Sequence, residues 1–260
     1  MPNTKLGLTN YLTSSATALK NGTGSGAPAL IETAPYKMSN LLSSDRYTLW
    51  KSSILSAPTQ YFVDFDLGSG KSVGAAAAEG FRAAAGVGPF IDVLYQVSTY
   101  TPGGTWLFAG SIPNLAVNLR DDGVEFTPVT ARYWRFQLTP SGASDQFSLG
   151  KFFLGLLTDL GAQHSPGATY TPMGNRLETP FPGGAIALTE LGDDGSEIHI
   201  PWQVASGAVA QAFLTLQTLP GSILLFWADG HIYEVYLKGR QITQTRNFQG
   251  DYDVVLGKMP

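Results

Sequence analysis

The chain contains no cysteine among its 260 residues. This absence excludes disulfide bonds, cysteine-ligated zinc and thiol catalysis. It is compatible with any cellular compartment, because a chain of this length buries a core that needs no covalent cross-link. Any chemistry must therefore come from other residue types.

Charged residues are also scarce, at 14% of the chain, and the formal net charge is −4. No run of lysine or arginine is present, although proteins that bind nucleic acid or a membrane surface carry such basic patches. We therefore expect neither partner class. The low charge also indicates a surface that is rich in uncharged polar residues or covered by neighbouring molecules.

Long apolar runs are missing as well. No stretch reaches the ~18 apolar residues of a transmembrane helix, so no membrane insertion is expected. Residues 1–5 are not followed by the apolar core of about 7–15 residues that marks a signal peptide, so we expect no cleaved secretion signal. Turn-forming residues are frequent, with 30 glycines and 16 prolines, which favours many short strands over long helices.

Two segments have the alternation of half-buried strands. In residues 61–67 apolar side chains alternate with Asp64 and Asp66, so both aspartates are expected on a solvated face. Glycine-rich residues 68–70 are expected to end this strand. In residues 131–138, Trp134 alternates with Arg135 in the same period of two, which predicts Trp134 on the apolar face.

Between two further strand-like segments lies a turn. Residues 101–104, Thr-Pro-Gly-Gly, separate the segments 95–100 and 106–112 and have the composition of a tight connection. The sequence therefore predicts a β-hairpin, with Tyr100 and Trp106 on either side of its turn.

Taken in order, these segments resemble the discoidin, or galactose-binding-like, jelly roll. In that family an "NLL…W+S" entry, here residues 40–52, precedes an "IDLG" strand, a "GG-x-W" hairpin and an "ARY-x-R" strand. The resemblance covers residues 28–157. It implies an antiparallel β-sandwich with Trp50 and Trp134 in its core and with ligand loops at one end of the sandwich.

Four parts of the chain follow from this interpretation. Residues 1–27 are predicted to be an N-terminal arm or a first strand with a loose loop, and 28–157 the sandwich. Glycine and proline leave no room for a regular element in 158–184, which is interpreted as a linker. Residues 185–260 are predicted to form a smaller β-rich module with one helix, beginning after Ser206 as N-cap and ending before Pro220. Its strands are expected near 198–204, 223–227, 233–237, 241–248 and 252–256.

Two short patterns in residues 65–74 are similar to hydrolase and nucleotide-binding motifs. Residues 70–74 match the G-x-S-x-G pattern around Ser72, but a nucleophile elbow needs a strand, a sharp turn and a helix, whereas the surroundings here predict a sandwich. Gly70-Lys71-Ser72 also matches the end of a P-loop, yet Phe65 stands where its first glycine belongs. Both patterns are interpreted as a loop between strands.

The histidines and carboxylates do not have the spacing of a known metal site or of a catalytic pair. His164, His199 and His231 lie far apart and form no metal-binding pair. Residues 193–197 are acidic but lack the ligand spacing of an EF-hand loop, and no carboxylate pair stands out for glycoside hydrolysis. We expect no metal, no cofactor and no enzymatic activity.

Tyr100 and Trp106 are the candidate glycan-contacting residues. They flank a turn at the end of the predicted sandwich, where an exposed ring can stack on a sugar. The alternative is that the two rings close their own hairpin by packing together.

The remaining motifs resemble bacteriophage tail proteins. The ARYWR segment at residues 131–135, followed by residues 150–155 and 180–184, resembles segments of such proteins. The strand–helix–strand–strand order after 185 is similar to tube-like modules of distal tail and baseplate proteins. This resemblance implies a non-enzymatic structural component of a phage tail or tail tip, located in the virion and made in the host cytoplasm. Other tail proteins and copies of the chain itself, in a ring, are the expected partners.

The assembly surface is predicted in the C-terminal module. Strands 233–237 and 241–248 are expected to present exposed edges, and Tyr233, Arg240 and Arg246 are the candidate interface residues. The alternative function is a carbohydrate-binding module or adhesin that recognises a cell-surface glycan, free or as the adhesive part of the same tail.

Overall fold

The structure is a computed structural model in which two compact units are distinguished. One unit is Thr9–Leu157, and the other combines Met1–Leu8 with Thr158–Pro260. The structure describes residues 4–13, 18–21, 36–42, 48–52, 60–79, 82–83, 90–101, 104–112, 122–139, 147–160, 169–171, 176–180, 186–190, 197–202, 207–218, 223–226, 232–237, 243–244 and 252–258.

Strands dominate the described residues, with one α-helix among them. The helix α1 is Gly207–Thr218, and short 3₁₀ turns occur at Tyr11–Thr13 and Met38–Leu42. The strands are β1 (Lys5–Gly7), β2 (Ala18–Asn21), β3 (Trp50–Lys51), β4 (Tyr61–Glu79), β5 (Arg82–Ala83), β6 (Phe90–Gln96), β7 (Leu107–Ile112), β8 (Asp122–Thr139), β9 (Phe147–Leu149), β10 (Lys151–Gly155), β11 (Thr158–Asp159), β12 (Thr169–Thr171), β13 (Arg176–Pro180), β14 (Ile186–Glu190), β15 (Glu197–Trp202), β16 (Ile223–Phe226), β17 (Ile232–Leu237), β18 (Thr243–Gln244) and β19 (Tyr252–Lys258).

The unit Thr9–Leu157 is a β-sandwich. Its larger sheet has the order β10-β4-β8-β6-β7, with β2 also paired to β4, and its smaller sheet has the order β3-β9-β5. Trp50 and Leu149 from the smaller sheet share one apolar cluster with Phe65, Trp134 and Phe152 from the larger sheet. The mainly-β sandwich predicted from the sequence is confirmed.

Aromatic side chains fill the sandwich core as the alternation predicts. Trp50 and Trp134 are both fully buried. The Phe65 and Phe136 rings meet edge to face with centroids 5.6 Å apart, and Phe136 stacks on Phe152 at 3.9 Å. Because the large rings bury much apolar area, they account for much of the stability of this unit.

The predicted end of the strand at residues 68–70 is wrong. β4 continues to Glu79, and its pairing with β8 shifts where Asp66 pairs with Tyr133 but Lys71 pairs with Ala131. Gly68 has a φ of 75°, a conformation that glycine adopts at little cost. The glycines therefore form a bulge that leaves the ladder and rejoins it. Ser72, interpreted as a loop residue, lies after this bulge within β4 and pairs with Thr130.

The second unit contains a sheet of order β11-β1-β16-β17-β19-β15-β12, with β18 also paired to β19 and β13–β14 as a separate hairpin. Its apolar cluster is mostly aliphatic and includes Leu216 of α1 together with Ile198, Leu225 and Val235. The helix was predicted correctly, at Gly207–Thr218, whereas its proposed cap, Ser206, lies outside the described residues.

Residues 1–27, predicted to be an arm or a first strand with a loose loop, contribute β1 to this sheet and β2, paired with β4, to the sandwich. Two expectations for this unit need correction. The linker 158–184 contains β11, β12 and β13, since ladder pairing needs only a partner and no apolar periodicity. The strand expected at 233–237 was predicted to present an exposed edge, but β17 lies between two strands, β16 on one side and β19 on the other.

The expected strand 241–248 is described only as β18, and the boundaries proposed for the four parts of the chain stay predictions. In the part of the chain that the structure describes, no helix is long and apolar enough to span a membrane.

Candidate functional site

The candidate site is the connection between β6 and β7, residues 97–106, here called the β6–β7 loop. The two strands pair antiparallel from Ile91 opposite Ile112 to Tyr95 opposite Leu107, so the predicted hairpin is confirmed. Gly104 donates its N–H to the Thr101 carbonyl at 2.9 Å and closes the turn. A Cβ on Gly104 would lie 2.8 Å from the Thr101 Cβ, which explains the glycine at this position.

A buried amide organises the loop from inside. Gln96 is 8% exposed, and its Nε2 donates to the Thr101 and Thr105 carbonyls at 3.0 and 3.2 Å. Its Oε1 accepts the Thr101 N–H at 2.9 Å. These hydrogen bonds join the two sides of the loop, so Gln96 replaces several missing ladder bonds.

The loop forms one side of an open surface pocket of about 300 Å³, which lies at the small end of the usual range for ligand sites. All nine lining residues are uncharged. They include Tyr95, Gln96 and the hydroxyl residues Ser98, Thr99, Thr101 and Thr105. The pocket therefore offers donors and acceptors without net charge.

Beneath this loop lies a buried ion pair. Arg135 of β8 is 3% exposed and Asp64 of β4 is fully buried. The Arg135 Nε and Nη2 donate to the two Asp64 carboxylate oxygens, each at 2.7 Å. This bidentate geometry provides the compensation that buried charges require.

Aromatic rings enclose the guanidinium of Arg135. Its Cζ lies 4.2 Å from the ring centroid of Phe62 and 4.0 Å from that of Trp106. Both distances are within the range of cation–π contacts. Trp106 thus covers the ion pair from the loop side.

Tyr100 reaches the same ion pair from the other side of the turn. Its hydroxyl donates to Asp64 Oδ2 at 3.0 Å, and its ring lies 5.4 Å from that of Tyr133. Burial, the negative charge of Asp64 and this hydrogen bond raise the pKa of the Tyr100 hydroxyl well above its usual value. The hydroxyl therefore remains a donor at neutral pH.

A second ion pair lies where β4 bulges. The Arg132 Nε and Nη2 donate to Asp66 at 2.7 and 3.1 Å, and the Gly68 N–H also donates to Asp66 at 2.9 Å. The hydrogen bond to Asp66 raises the pKa of the Arg132 guanidinium. Asp66 thus fixes the turn at Gly68 as well as Arg132.

The expectation that Asp64 and Asp66 lie on a solvated face is wrong. Asp64 is 0% and Asp66 7% exposed, because arginines of the neighbouring strand neutralise them and the loop covers Asp64. The alternation placed both residues on one face correctly, but that face is buried.

The two candidate glycan contacts lie close to the pocket without lining it. The Tyr100 and Trp106 rings meet edge to face at 6.3 Å, the pairing that the alternative interpretation expected. Both rings also contact the Asp64–Arg135 pair, as described above. Their contact with a glycan stays a prediction.

Of the other residues named from the sequence, Tyr233 and His199 belong to the second unit. Tyr233 pairs with Leu225 in the sheet of that unit. His199 lies in β15, where its backbone pairs with Thr169 of β12 and Val255 of β19. His164, His231, Arg240 and Arg246 lie outside the described residues. No cluster of three or more potential metal-ligating side chains occurs among the residues that could be searched.

Sequence reasoning missed Gln96 and the role of Arg135. A signal for each exists in the chain. Gln96 is the amide that ends the mainly apolar strand β6 before a glycine-rich turn. Arg135 and Asp64 are opposite charges between buried apolar neighbours, Trp134 and Phe136 for Arg135 and Val63 and Phe65 for Asp64, in two strands already expected to belong to one sheet.

Comparisons with known proteins give structural likeness only. No protein-family model matches the chain, and the search of curated proteins also found no match. Two similar structures are chitosan-binding modules of a chitosanase/glucanase from Paenibacillus sp. IK-5. Module 2, in complex with chitotriose, is 19% identical with a TM-score of 0.42 over 56% of this chain and 100% of that one. Module 1 is 19% identical, with a TM-score of 0.40, over 56% of this chain and 98% of that one.

A third similar structure is CBM32-1 from a family 31 glycoside hydrolase of Clostridium perfringens. It is 13% identical, with a TM-score of 0.41, over 55% of this chain and 95% of that one. These similar structures are carbohydrate-binding modules, not catalytic domains. At such identities and TM-scores, the likeness transfers no ligand to this chain.

Proposed function

We propose that the sandwich unit binds a neutral oligosaccharide in the pocket of the β6–β7 loop. The observation that carries this proposal is the pocket's lining, which includes four hydroxyl residues, Ser98, Thr99, Thr101 and Thr105, and no charged residue. Hydroxyl side chains both donate and accept hydrogen bonds, which matches the hydroxyls of a sugar. Phosphate and other charged groups find no countercharge there.

Pre-organisation supports the same proposal. The Gln96 hydrogen bonds hold both sides of the loop in place, so less conformational entropy is lost when a ligand binds. The loop can therefore recognise a ligand that makes few contacts. The proposed activity is binding alone, without a catalytic step.

The test uses the full-length chain on an array of neutral oligosaccharides. Chitotriose, whose amino groups carry positive charge near neutral pH, is added as a charged comparison because one of the structurally similar modules was solved in complex with it. The affinity of a retained glycan is then measured by calorimetry for the wild type, for Thr105→Val and for the control Thr127→Val. Thr105 lines the pocket, whereas Thr127 is exposed on β8 outside it.

Loss of one hydrogen bond from Thr105→Val should weaken binding by about three- to tenfold. Thr127→Val should bind as the wild type does. Failure of every neutral glycan to bind, or equal weakening by both variants, would reject the pocket as a glycan site.

A second function is proposed from the exposed apolar surface. Among the described strands, β7 forms one edge of the larger sheet. Its residues Phe108 and Leu107 are 62% and 48% exposed, and this strand carries no charged residue or proline. Free monomers usually protect sheet edges with such residues. Together with the low charge of the chain, this surface supports a structural role in a bacteriophage tail or tail tip.

In this second role the chain is a non-enzymatic virion part that assembles with other tail proteins and copies of itself. It is compatible with glycan binding, since the sandwich can act as the adhesive part of a tail. Sedimentation and electron microscopy of the full-length protein should show rings or larger assemblies, and purified particles should contain it. A protein that stays monomeric at high concentration and is absent from particles would reject this role.

A further inference from the structure

The Asp64–Arg135 pair connects the β6–β7 loop to the centre of the larger sheet. The loop contacts this pair through residues on both sides of its turn. Tyr100 binds the Asp64 carboxylate at 3.0 Å, and Trp106 packs on the Arg135 guanidinium at 4.0 Å. The four residues Asp64, Arg135, Tyr100 and Trp106 are called the clamp below.

Each contact of the clamp uses a group that would be costly to leave unsatisfied. A buried carboxylate needs more hydrogen bonds than one arginine supplies, and the Tyr100 hydroxyl provides one of them. Arg135 has ring faces on both sides, from Phe62 and Trp106. Opening the loop would break the Tyr100 hydrogen bond to Asp64 and remove the Trp106 ring from Arg135. The closed loop is therefore favoured.

The pocket residues lie next to the two clamp contacts along the loop. Ser98 and Thr99 precede Tyr100, and Thr101, Gly104 and Thr105 lie between Tyr100 and Trp106. Fixing Tyr100 and Trp106 on the sheet therefore fixes the backbone that forms the pocket. Gln96 ties the same backbone together from inside.

We propose that the clamp holds the β6–β7 loop in the shape that forms the pocket, and that Tyr100 and Trp106 position this loop without contacting the glycan. The assignment of a pocket ligand rests on the proposed glycan binding, but the clamp's effect on the loop is independent of any ligand. Tyr100 and Trp106 are thus positioning residues.

The first experiment measures amide hydrogen exchange in the ligand-free, full-length protein. The reporters are the Thr101 and Gly104 amides, whose hydrogen bonds depend on the closed loop. Tyr100→Phe removes only the hydroxyl that binds Asp64, so exchange of both amides should become about three- to tenfold faster. The matched control is Tyr36→Phe, a tyrosine 39% exposed and outside the loop, which should leave both rates unchanged.

The second experiment measures the affinity of Tyr100→Phe for the glycan found on the array. The apparent affinity is reduced in proportion to the fraction of molecules whose loop is closed and can bind. If more than half of the Tyr100→Phe molecules keep a closed loop, the affinity falls by less than about twofold. The proposal therefore predicts faster exchange with nearly unchanged affinity. Thr105→Val should show the reverse, weaker binding with unchanged exchange.

Two results would overturn the clamp. One is wild-type exchange of the Thr101 and Gly104 amides in both Tyr100→Phe and Trp106→Leu. The other is a loss of glycan affinity in Tyr100→Phe without faster exchange, which would make Tyr100 a direct contact. Faster exchange in a protein that binds no neutral glycan rejects only the proposed function and supports the clamp.

Discussion

The paired segments Tyr61–Asp66 of β4 and Tyr133–Leu138 of β8 are largely buried on both faces, but the two faces use different chemistry. On one face Phe65 and Trp134 pack into the apolar core of the sandwich. On the other, Asp64 and Arg135 form an ion pair that is also almost completely buried. The apolar face needs only shape and volume to be stable, whereas the polar face needs every charge paired and covered.

The second face itself divides into two regions. At the centre of the sheet, Asp64–Arg135 is covered by rings, whereas at the bulge the Arg132 side chain is 40% exposed although its contact distance to Asp66 is the same 2.7 Å. Equal geometry does not imply equal energy, because solvent screens the exposed pair. Burial decides what each ion pair contributes to stability.

The largest expected effect is the loss of a core ring on the apolar face. Trp134→Ala removes a fully buried side chain and should lower the free energy of unfolding by about 3–5 kcal/mol. Chemical denaturation measures this change, and the exposed Phe108→Ala serves as an aromatic control with an expected change within about 0.5 kcal/mol. A loss below about 1 kcal/mol for Trp134→Ala would contradict its position in the core.

A similarly large effect is expected on the polar face when one charge is left alone. Arg135→Ala leaves the Asp64 carboxylate buried without its main partner and should destabilise the unit by about 3–5 kcal/mol. Arg132→Ala removes the equivalent, solvent-exposed partner of Asp66 and should change the denaturation midpoint far less. Equal losses for the two arginine variants would show that burial does not separate the two ion pairs.

The sequence predicted the two faces but not the burial of the second one. Side chains alternate between the two faces of a strand because of backbone geometry. The alternation in the sequence therefore correctly placed Asp64 and Asp66 on one face of the sheet and Trp134 on the other. The cover over Asp64 comes from Tyr100, 36 residues further along the chain. Local alternation contains no information about such a distant contact, so the face was expected to be solvated.

The candidate site shows the same division. Tyr100 and Trp106 were identified from their positions beside a Thr-Pro-Gly-Gly turn, and the hairpin exists. Their contacts with the ion pair depend on how the loop folds onto the sheet, which turn composition does not specify. The edge expected at residues 233–237 was wrong for a similar reason, because its partner β19 comes from the end of the chain.

A smaller effect is expected at the bulge that joins the two regions of the polar face. Gly68 has a positive φ, so Gly68→Ala should cost about 1–2 kcal/mol. Gly70→Ala is the matched control, because a Cβ there would meet the Thr130 Cγ2 at an ordinary 3.4 Å and no positive φ is involved. Similar unfolding free energies for the two variants would contradict the strained turn at Gly68.

The smallest expected effect concerns the hydroxyl that covers the buried pair. Tyr100→Phe should lower the free energy of unfolding by about 1 kcal/mol at neutral pH, since one hydrogen bond is lost. The folded protein raises the pKa of Tyr100, so it holds this proton more tightly than the unfolded chain, whose tyrosines ionise near about pH 10. The stabilisation by Tyr100 is therefore fully present below about pH 10 and is lost as the pH rises toward the folded-state pKa. Urea denaturation from about pH 8 to pH 11 measures the free energy of unfolding of the wild type and of Tyr100→Phe. The difference between the two should be constant up to about pH 10 and should narrow above it. A constant difference across the whole range would contradict a buried hydroxyl bound to Asp64.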